Sequence, residues 1–256
     1  MLERHRQRLR YLASSGARRK VRDLVVGIGR DDPFVTREDL ARRYLTGDGI
    51  EIGAATWPLR VPPGARVRYV DRLSKQDLVA DYGSSIRAAG RDPAAIPETD
   101  VVDDAATLGT FSDESVDFII ANPVLEHRED PVGALKNLVR VPRPGGILFL
   151  TLPDGRRSFD AARERTTVEH VLRDHREGPR VSRRAHYEEW ARSIEGAPPE
   201  RVEERVQAYE REGARHHFHV WALDDFLELL RAVGLPCELE LAQVSREEFS
   251  IVLRRN

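Results

Sequence analysis

Cysteine is almost absent: Cys237 stands alone among 256 residues, so the chain can form no internal disulfide and no multi-cysteine metal site. No apolar run approaches the length of a membrane span and no signal-peptide pattern opens the chain, so a cytoplasmic protein is expected. Charge of one sign is lacking too. The formal net charge of −2 at pH 7 gives no general case for a nucleic-acid or membrane partner. The length suits one domain with an insertion.

A further absence is more specific. Gly49-Ile50-Glu51-Ile52-Gly53-Ala54 ends an apolar run in an acid and a glycine, and Val67-Arg68-Tyr69-Val70-Asp71 ends a second run in an acid. This pairing describes two neighbouring parallel strands with a nucleoside between their carboxyl ends, where Asp71 accepts the ribose hydroxyls. The G-x-G-x-x-G turn that cradles a pyrophosphate is missing, because the chain continues Gly53-Ala54-Ala55-Thr56-Trp57-Pro58. Pro58, Pro62, Pro63 and Gly64 then exclude an ordinary helix before the second strand. A ligand carrying adenosine without phosphates fits better, and S-adenosylmethionine is the common one.

From Gly49 onward the chain resembles the class I S-adenosylmethionine-dependent methyltransferases. Glu51-Ile52-Gly53 is similar to their first motif, with Ala55 where a second glycine is usual, and Asp71 matches their ribose-binding acid. Val101-Val102-Asp103-Asp104-Ala105 resembles the third-strand segment, which implies that Asp104 faces the adenine amino group and Ala105 the ring. Phe118 to His127 is similar to the fourth strand and loop of members with a leucine-glutamate-histidine signature, and Pro144-Gly145-Gly146 to Leu150 to the turn and fifth strand. The resemblance places Glu51, Gly53, Ala54, Asp71, Arg72, Asp104, Ala105 and Asn122 at the cofactor.

The expected fold is α/β, a Rossmann-like and mainly parallel sheet with helices on both faces, an antiparallel final hairpin, and a helical insertion after the fifth strand. Strands are expected near 49–53, 67–71, 100–103, 116–121 and 146–152, and helices near 74–89, 131–140 and 223–233. Cys237–Val244 and Glu248–Leu253 read as the hairpin. Residues 1–46 form a basic, helix-prone segment, 47–153 and 216–256 the cofactor-binding domain, and 154–215 a lid or substrate element. The basic run from Arg4 to Arg22 reads as the solvated face of a helix, with Leu9, Leu12, Val21, Leu24 and Val25 available for packing.

An activated methyl group needs chiefly an aligned nucleophile and a dry site, and a hydroxyl nucleophile favours a base. His127, in the loop after the fourth strand, is the candidate base, with a structural role for the loop as the alternative; activity is expected to rise with pH through a group near neutrality. His170, Asp174, His186, His217 and His219 are candidate substrate contacts. His170 and Asp174 share a helical face and His217 and His219 a strand face, spacings that also suit imidazole and oxygen ligands, although a divalent metal is not expected. Trp57, Trp190 and Trp221 suit core packing better than stacking on a sugar. Asn122-Pro123 lacks the second proline and aromatic residue of the amino-methyltransferase motif, because Val124 and Leu125 follow.

The insertion's proline-aspartate, phenylalanine-aspartate and histidine-bearing pattern resembles bacterial methyltransferases found with polysaccharide and glycosyl-transfer systems. That resemblance implies O-methylation of a sugar or other hydroxylated small molecule. Two alternatives stand beside it: a non-catalytic S-adenosylmethionine-binding partner of a glycosyltransferase, supported only by Ala55, and an N- or carboxyl-methyltransferase of secondary metabolism. A small-molecule acceptor, no nucleic acid and no membrane are the expected partners, with a homodimer left open.

Overall fold

The computed structural model describes residues 35–256, so the basic run from Arg4 to Arg22 and its apolar residues lie outside the described residues. Helix α1 (Arg37–Tyr44) starts at Thr36, whose hydroxyl accepts from the Asp39 amide while the Asp39 carboxylate accepts from the Thr36 amide. Strands β1 (Gly47–Ile52) and β2 (Ala65–Asp71) run parallel, and α2 (Lys75–Ala88) follows. The chain between β1 and β2 is helix-free, as its prolines require.

Next come β3 (Val101–Val102), β4 (Val116–Ala121), α3 (Pro131–Arg140) and β5 (Pro142–Pro153). Asp130 caps α3 by accepting from the Gly133 amide at 2.9 Å, with Pro131 at the first helical position where no amide donor is needed. The insertion contributes α4 (Val168–Glu177), α5 (Arg180–Ser193) and α6 (Pro199–Glu212). Helix α7 (Leu223–Val233) then leads into β6 (Cys237–Ser245) and β7 (Glu248–Arg255).

The seven strands lie in the order β3-β2-β1-β4-β5-β7-β6. Pairings are parallel from β3 to β5, while β7 enters between β5 and β6 and runs antiparallel to both. The fold is therefore the expected mixed α/β sheet with a final antiparallel hairpin.

Strand alternation divides the core. Ile50, Ile52, Val70, Ile119 and Leu148 face one side, where Leu135 and Leu138 of α3, Val171 of α4 and Phe226 and Leu229 of α7 cover them. Phe118, Ile120, Ile147 and Phe149 face the other side, under Leu40 and Ala41 of α1 and Leu59. A third cluster, built on Tyr187, Ala191, Val202, Val206, Tyr209 and Phe218, lets α5 and α6 pack as a unit around the returning chain. Among the described residues no helix is long and apolar enough to cross a membrane.

Candidate cofactor and acceptor site

The strand order reverses between β1 and β4, and a cleft of about 310 Å³ opens beyond their carboxyl ends. Gly53 lines it with φ +65°, a conformation that favours glycine. Ala55 lines it at φ +46°, so this position keeps the left-handed backbone although a side chain is present. Leu78, Ile86, Ile96, Ala105 and Val124 supply apolar wall, and Asp71, Arg72, Asp104 and His127 supply polar groups. A few convergent polar atoms on an apolar wall is the usual make-up of a small-molecule site.

Asp71 keeps one carboxylate oxygen for the Arg72 amide at 2.7 Å. Burial raises its carboxyl above the ordinary value, against the Arg72 and Leu73 amides and the Arg72 charge, which lower it. Asp103 closes the turn after β3 by accepting from the amides of Gly109 and Thr110 and from the Thr110 hydroxyl, and so presents Asp104 and Ala105 to the cleft. Asp104 itself accepts from Arg128 at 2.8 Å and from Arg215 at 3.2 Å. Burial would raise this carboxyl, but the Ala106 amide and the two arginines outweigh it and hold it below the usual range. Sequence reasoning missed both arginines. Arg128 adjoined a quoted motif, whereas nothing local marks Arg215.

Three residues assigned to the cofactor lie off the cleft wall. Alternation along β1 sends Ile50 and Ile52 to one face and Glu51 to the other, where its carboxylate accepts from the Leu59 amide at 3.0 and 3.1 Å. Glu51 thus ties down the proline-rich connection beneath α1, and burial lifts its carboxyl to about 7. Ala54 is buried beside Gly53 while Ala55 takes the wall position. Asn122 lies behind Pro123 and Val124, 3 % exposed, with both side-chain polar atoms unpartnered. A buried amide without partners at the end of β4 fits a ligand bearing donors and acceptors. With the Asp71 carboxylate at the cleft wall and the apolar slot, the residues present suit an adenosine-containing cofactor with an amino-acid tail.

A second cavity, of about 690 Å³, adjoins the first, and His127, Arg128, Asp104 and Arg215 line both. Its remaining wall mixes polar and apolar residues and comes largely from the insertion, including Arg180, Arg183, Tyr187 and Glu210, with Arg183 ion-paired to Glu129. His127 Nδ1 lies 3.2 Å from the carbonyl oxygens of Arg215 and His216, so it carries the ring proton and leaves Nε2 as the lone pair. Burial, with a smaller contribution from His217, depresses His127 to about 3, so the ring is neutral at physiological pH. The expectation that His127 titrates near neutrality is therefore overturned by its desolvation.

Behind His127 lies a buried acid–base chain that the sequence did not suggest. Glu126 is 2 % exposed and both its oxygens lack partners. Its Oε1 stands 4.0 Å from His127 Nε2 and 4.0 Å from His217 Nε2. Burial pushes the Glu126 carboxyl up to about 7, with His217 opposing the rise. His217 Nδ1 in turn lies 2.7 Å from Asp160, which Arg163 grips at 2.7 Å.

None of the five proposed substrate contacts lines either large cavity. His217 and His219 do share a face of the rejoining segment, but that face turns inward to a small void beside Glu126 and Asp160, because the Phe218 amide is anchored on the Glu126 carbonyl at 2.7 Å. His170, Asp174 and His186 meet elsewhere, between α4 and α5. Trp221 is buried against His219 and Trp190 stacks on His216 at 4.4 Å, as core packing predicts. Trp57 departs from that reading: it is 57 % exposed, with the Arg37 and Arg91 guanidinium groups over its ring.

Residues 63–150 match a family described as a methyltransferase domain. A search of curated proteins gives no match. Among solved structures, the chain is similar to an S-adenosylmethionine-dependent methyltransferase from Aquifex aeolicus, at 13% identity over 84% of this chain and 85% of that one, with a TM-score of 0.43. It is likewise similar to one from Methanosarcina mazei, at 18% identity over 83% and 95%, with a TM-score of 0.45.

Proposed function

We propose that this S-adenosylmethionine-dependent methyltransferase transfers its methyl group to a hydroxyl oxygen of a sugar or similarly hydroxylated small molecule. The observation that carries the reading is the position of His127, whose proton-free Nε2 belongs to a side chain that lines the cofactor cleft and the insertion-lined cavity and approaches the buried Glu126.

When bound, S-adenosylmethionine supplies a methyl group activated by its sulfonium, so the protein must chiefly align the acceptor, exclude water and receive a proton. Asp71 would hold the ribose, and Asn122, whose amide is otherwise unpartnered, would meet the polar tail. Arg180, Arg183, Tyr187 and Glu210 offer hydrogen bonds of both polarities to a polyhydroxylated acceptor. As the acceptor oxygen is methylated, its proton passes to His127 Nε2. A histidine held near 3 is a weak base by itself, but ionised Glu126 lies 4.0 Å from the imidazolium so formed and stabilises it. His217, fixed by Asp160, orients Glu126 from the other side. Glu126, displaced to about 7, thereby takes the place near neutrality first expected of His127.

The test is product analysis with S-adenosylmethionine and a panel of free sugars, glycosides and nucleotide sugars. The expected product has gained one methyl as an ether that survives mild alkali. An alkali-labile ester or a methylated amine would overturn the oxygen-ether reading.

A further inference from the structure

Three chain segments outside the two large cavities bring histidines to one point. His170 and Asp174 stand one turn apart on α4, His186 comes from α5, and His219 comes from the segment that returns to the sheet. His170 Nε2 lies 3.1 Å from His186 Nε2 and 3.1 Å from Asp174 Oδ2, and His186 Nε2 lies 3.9 Å from the same oxygen. One ligand atom from each histidine falls within 4.8 Å of those of the other two. A tetrahedral zinc ion with ligands at about 2.0–2.1 Å needs neighbouring ligand atoms roughly 3.3 Å apart, so His170, His186 and Asp174 stand near the required spacing, while His219 has to close in toward them on binding.

His219 provides an independent observation. It is 1 % exposed, its Nδ1 has no partner, and its Nε2 reaches only the Glu129 carbonyl at 3.5 Å. A ring nitrogen buried without a partner is costly, whereas one nitrogen on a metal and the other donating to a carbonyl is a usual arrangement for a ligating histidine. Asp174 is fully buried and already held by the Ser182 hydroxyl, as ligating carboxylates commonly are.

We propose that His170, His186, His219 and Asp174 bind one divalent zinc ion that fastens α4 and α5 to the returning chain. Four protein ligands close the coordination sphere, and the cluster lines neither large cavity, so the ion is structural. It holds α5, whose Arg183 and Tyr187 form part of the acceptor wall. One contact must change on binding: Arg173, 45% exposed, donates to His170 Nδ1 at 3.3 Å and has to turn away, because the ligating tautomer carries its proton there.

The experiment uses the full chain, expressed with added zinc, desalted and analysed for metal. About one equivalent of zinc per chain is expected, with a fall in Tm on chelation and recovery on adding zinc. Cobalt substitution should give the intense visible bands of a tetrahedral site. His170→Gln, at the rim and tolerant of folding, should abolish the bands and reduce zinc to near zero while circular dichroism is retained, whereas Glu126→Gln should keep both. A folded parent that binds no stoichiometric zinc or cobalt would overturn the proposal and leave a hydrogen-bonded imidazole cluster. Retention of the metal in His170→Gln with loss in Glu126→Gln would also overturn it, by placing the ion on Glu126, His127 and His217.

Discussion

Glu126 Oε1 lies equally far, 4.0 Å, from His127 Nε2 and from His217 Nε2, so one buried carboxylate serves an imidazole at the cavity wall and another in the interior. With Asp160 on the far side of His217, the chain of groups leads from the larger cavity into the insertion.

Removing the acid at the end of β2 that is proposed to hold the ribose should weaken cofactor binding without unfolding the protein. Asp71→Ala is expected to reduce S-adenosylmethionine affinity by about 1.5–3 kcal/mol, the scale of a lost hydrogen bond to a charged group. Isothermal calorimetry measures it directly, and unchanged affinity in a folded variant would remove Asp71 from the cofactor site.

Catalysis should depend on His127 and its pH profile on Glu126. His127→Ala is expected to lower kcat by roughly 10²–10⁴-fold with cofactor affinity nearly unchanged. Because the Glu126 carboxyl is displaced to about 7, the parent's rate should climb with pH through that region, and Glu126→Gln should be slower and flat there. A climb that persists in Glu126→Gln would assign the titration to another group.

Glu51 should make stability fall as pH rises. Its folded carboxyl is lifted from 4.5 to about 7 by burial, so its favourable state is fully present below pH 4.5 and lost as pH passes upward through 7. The displacement corresponds to about 3 kcal/mol. Glu51→Gln should therefore gain stability relative to the parent between pH 5 and pH 8 in urea unfolding. An equal difference at both pH values would show that Glu51 does not titrate in this range.

Arg163 should be needed for the insertion to hold its shape. Its side chain is 2% exposed and binds Asp160, Glu189 and the His217 carbonyl. Arg163→Ala leaves Asp160 buried without its cation and is expected to cost about 3–5 kcal/mol. A loss below 1 kcal/mol in denaturant melts would mean that Asp160 finds another partner.

The sheet was readable because each strand announces itself locally, by an apolar run and the residues that end it. Leu223–Val233 emerged with its bounds intact because acids at its start and Gly234 after it mark both ends. The cleft-lining positions were readable for the same reason, since Asp71 ends β2 and Gly53 and Asp104 stand just past strand ends. Glu51 was misplaced because a motif gives order along the chain but not the face of the strand. The histidines were harder still. His170, His186 and His219 belong to elements 16 and more residues apart, and only the packing of α4, α5 and the returning segment decides that they meet each other and not an acceptor. Arg215 reaches Asp104 across 111 residues, beyond any local pattern.

That last contact stands where the two cavities meet. Arg215 closes the insertion and occupies Asp104 Oδ2, the oxygen that an adenine amino group would also seek. Arg215 and Asp104 each line both cavities, so a group that competed for this oxygen from either side would free the guanidinium on the other, and one ion pair is shared between two neighbouring spaces.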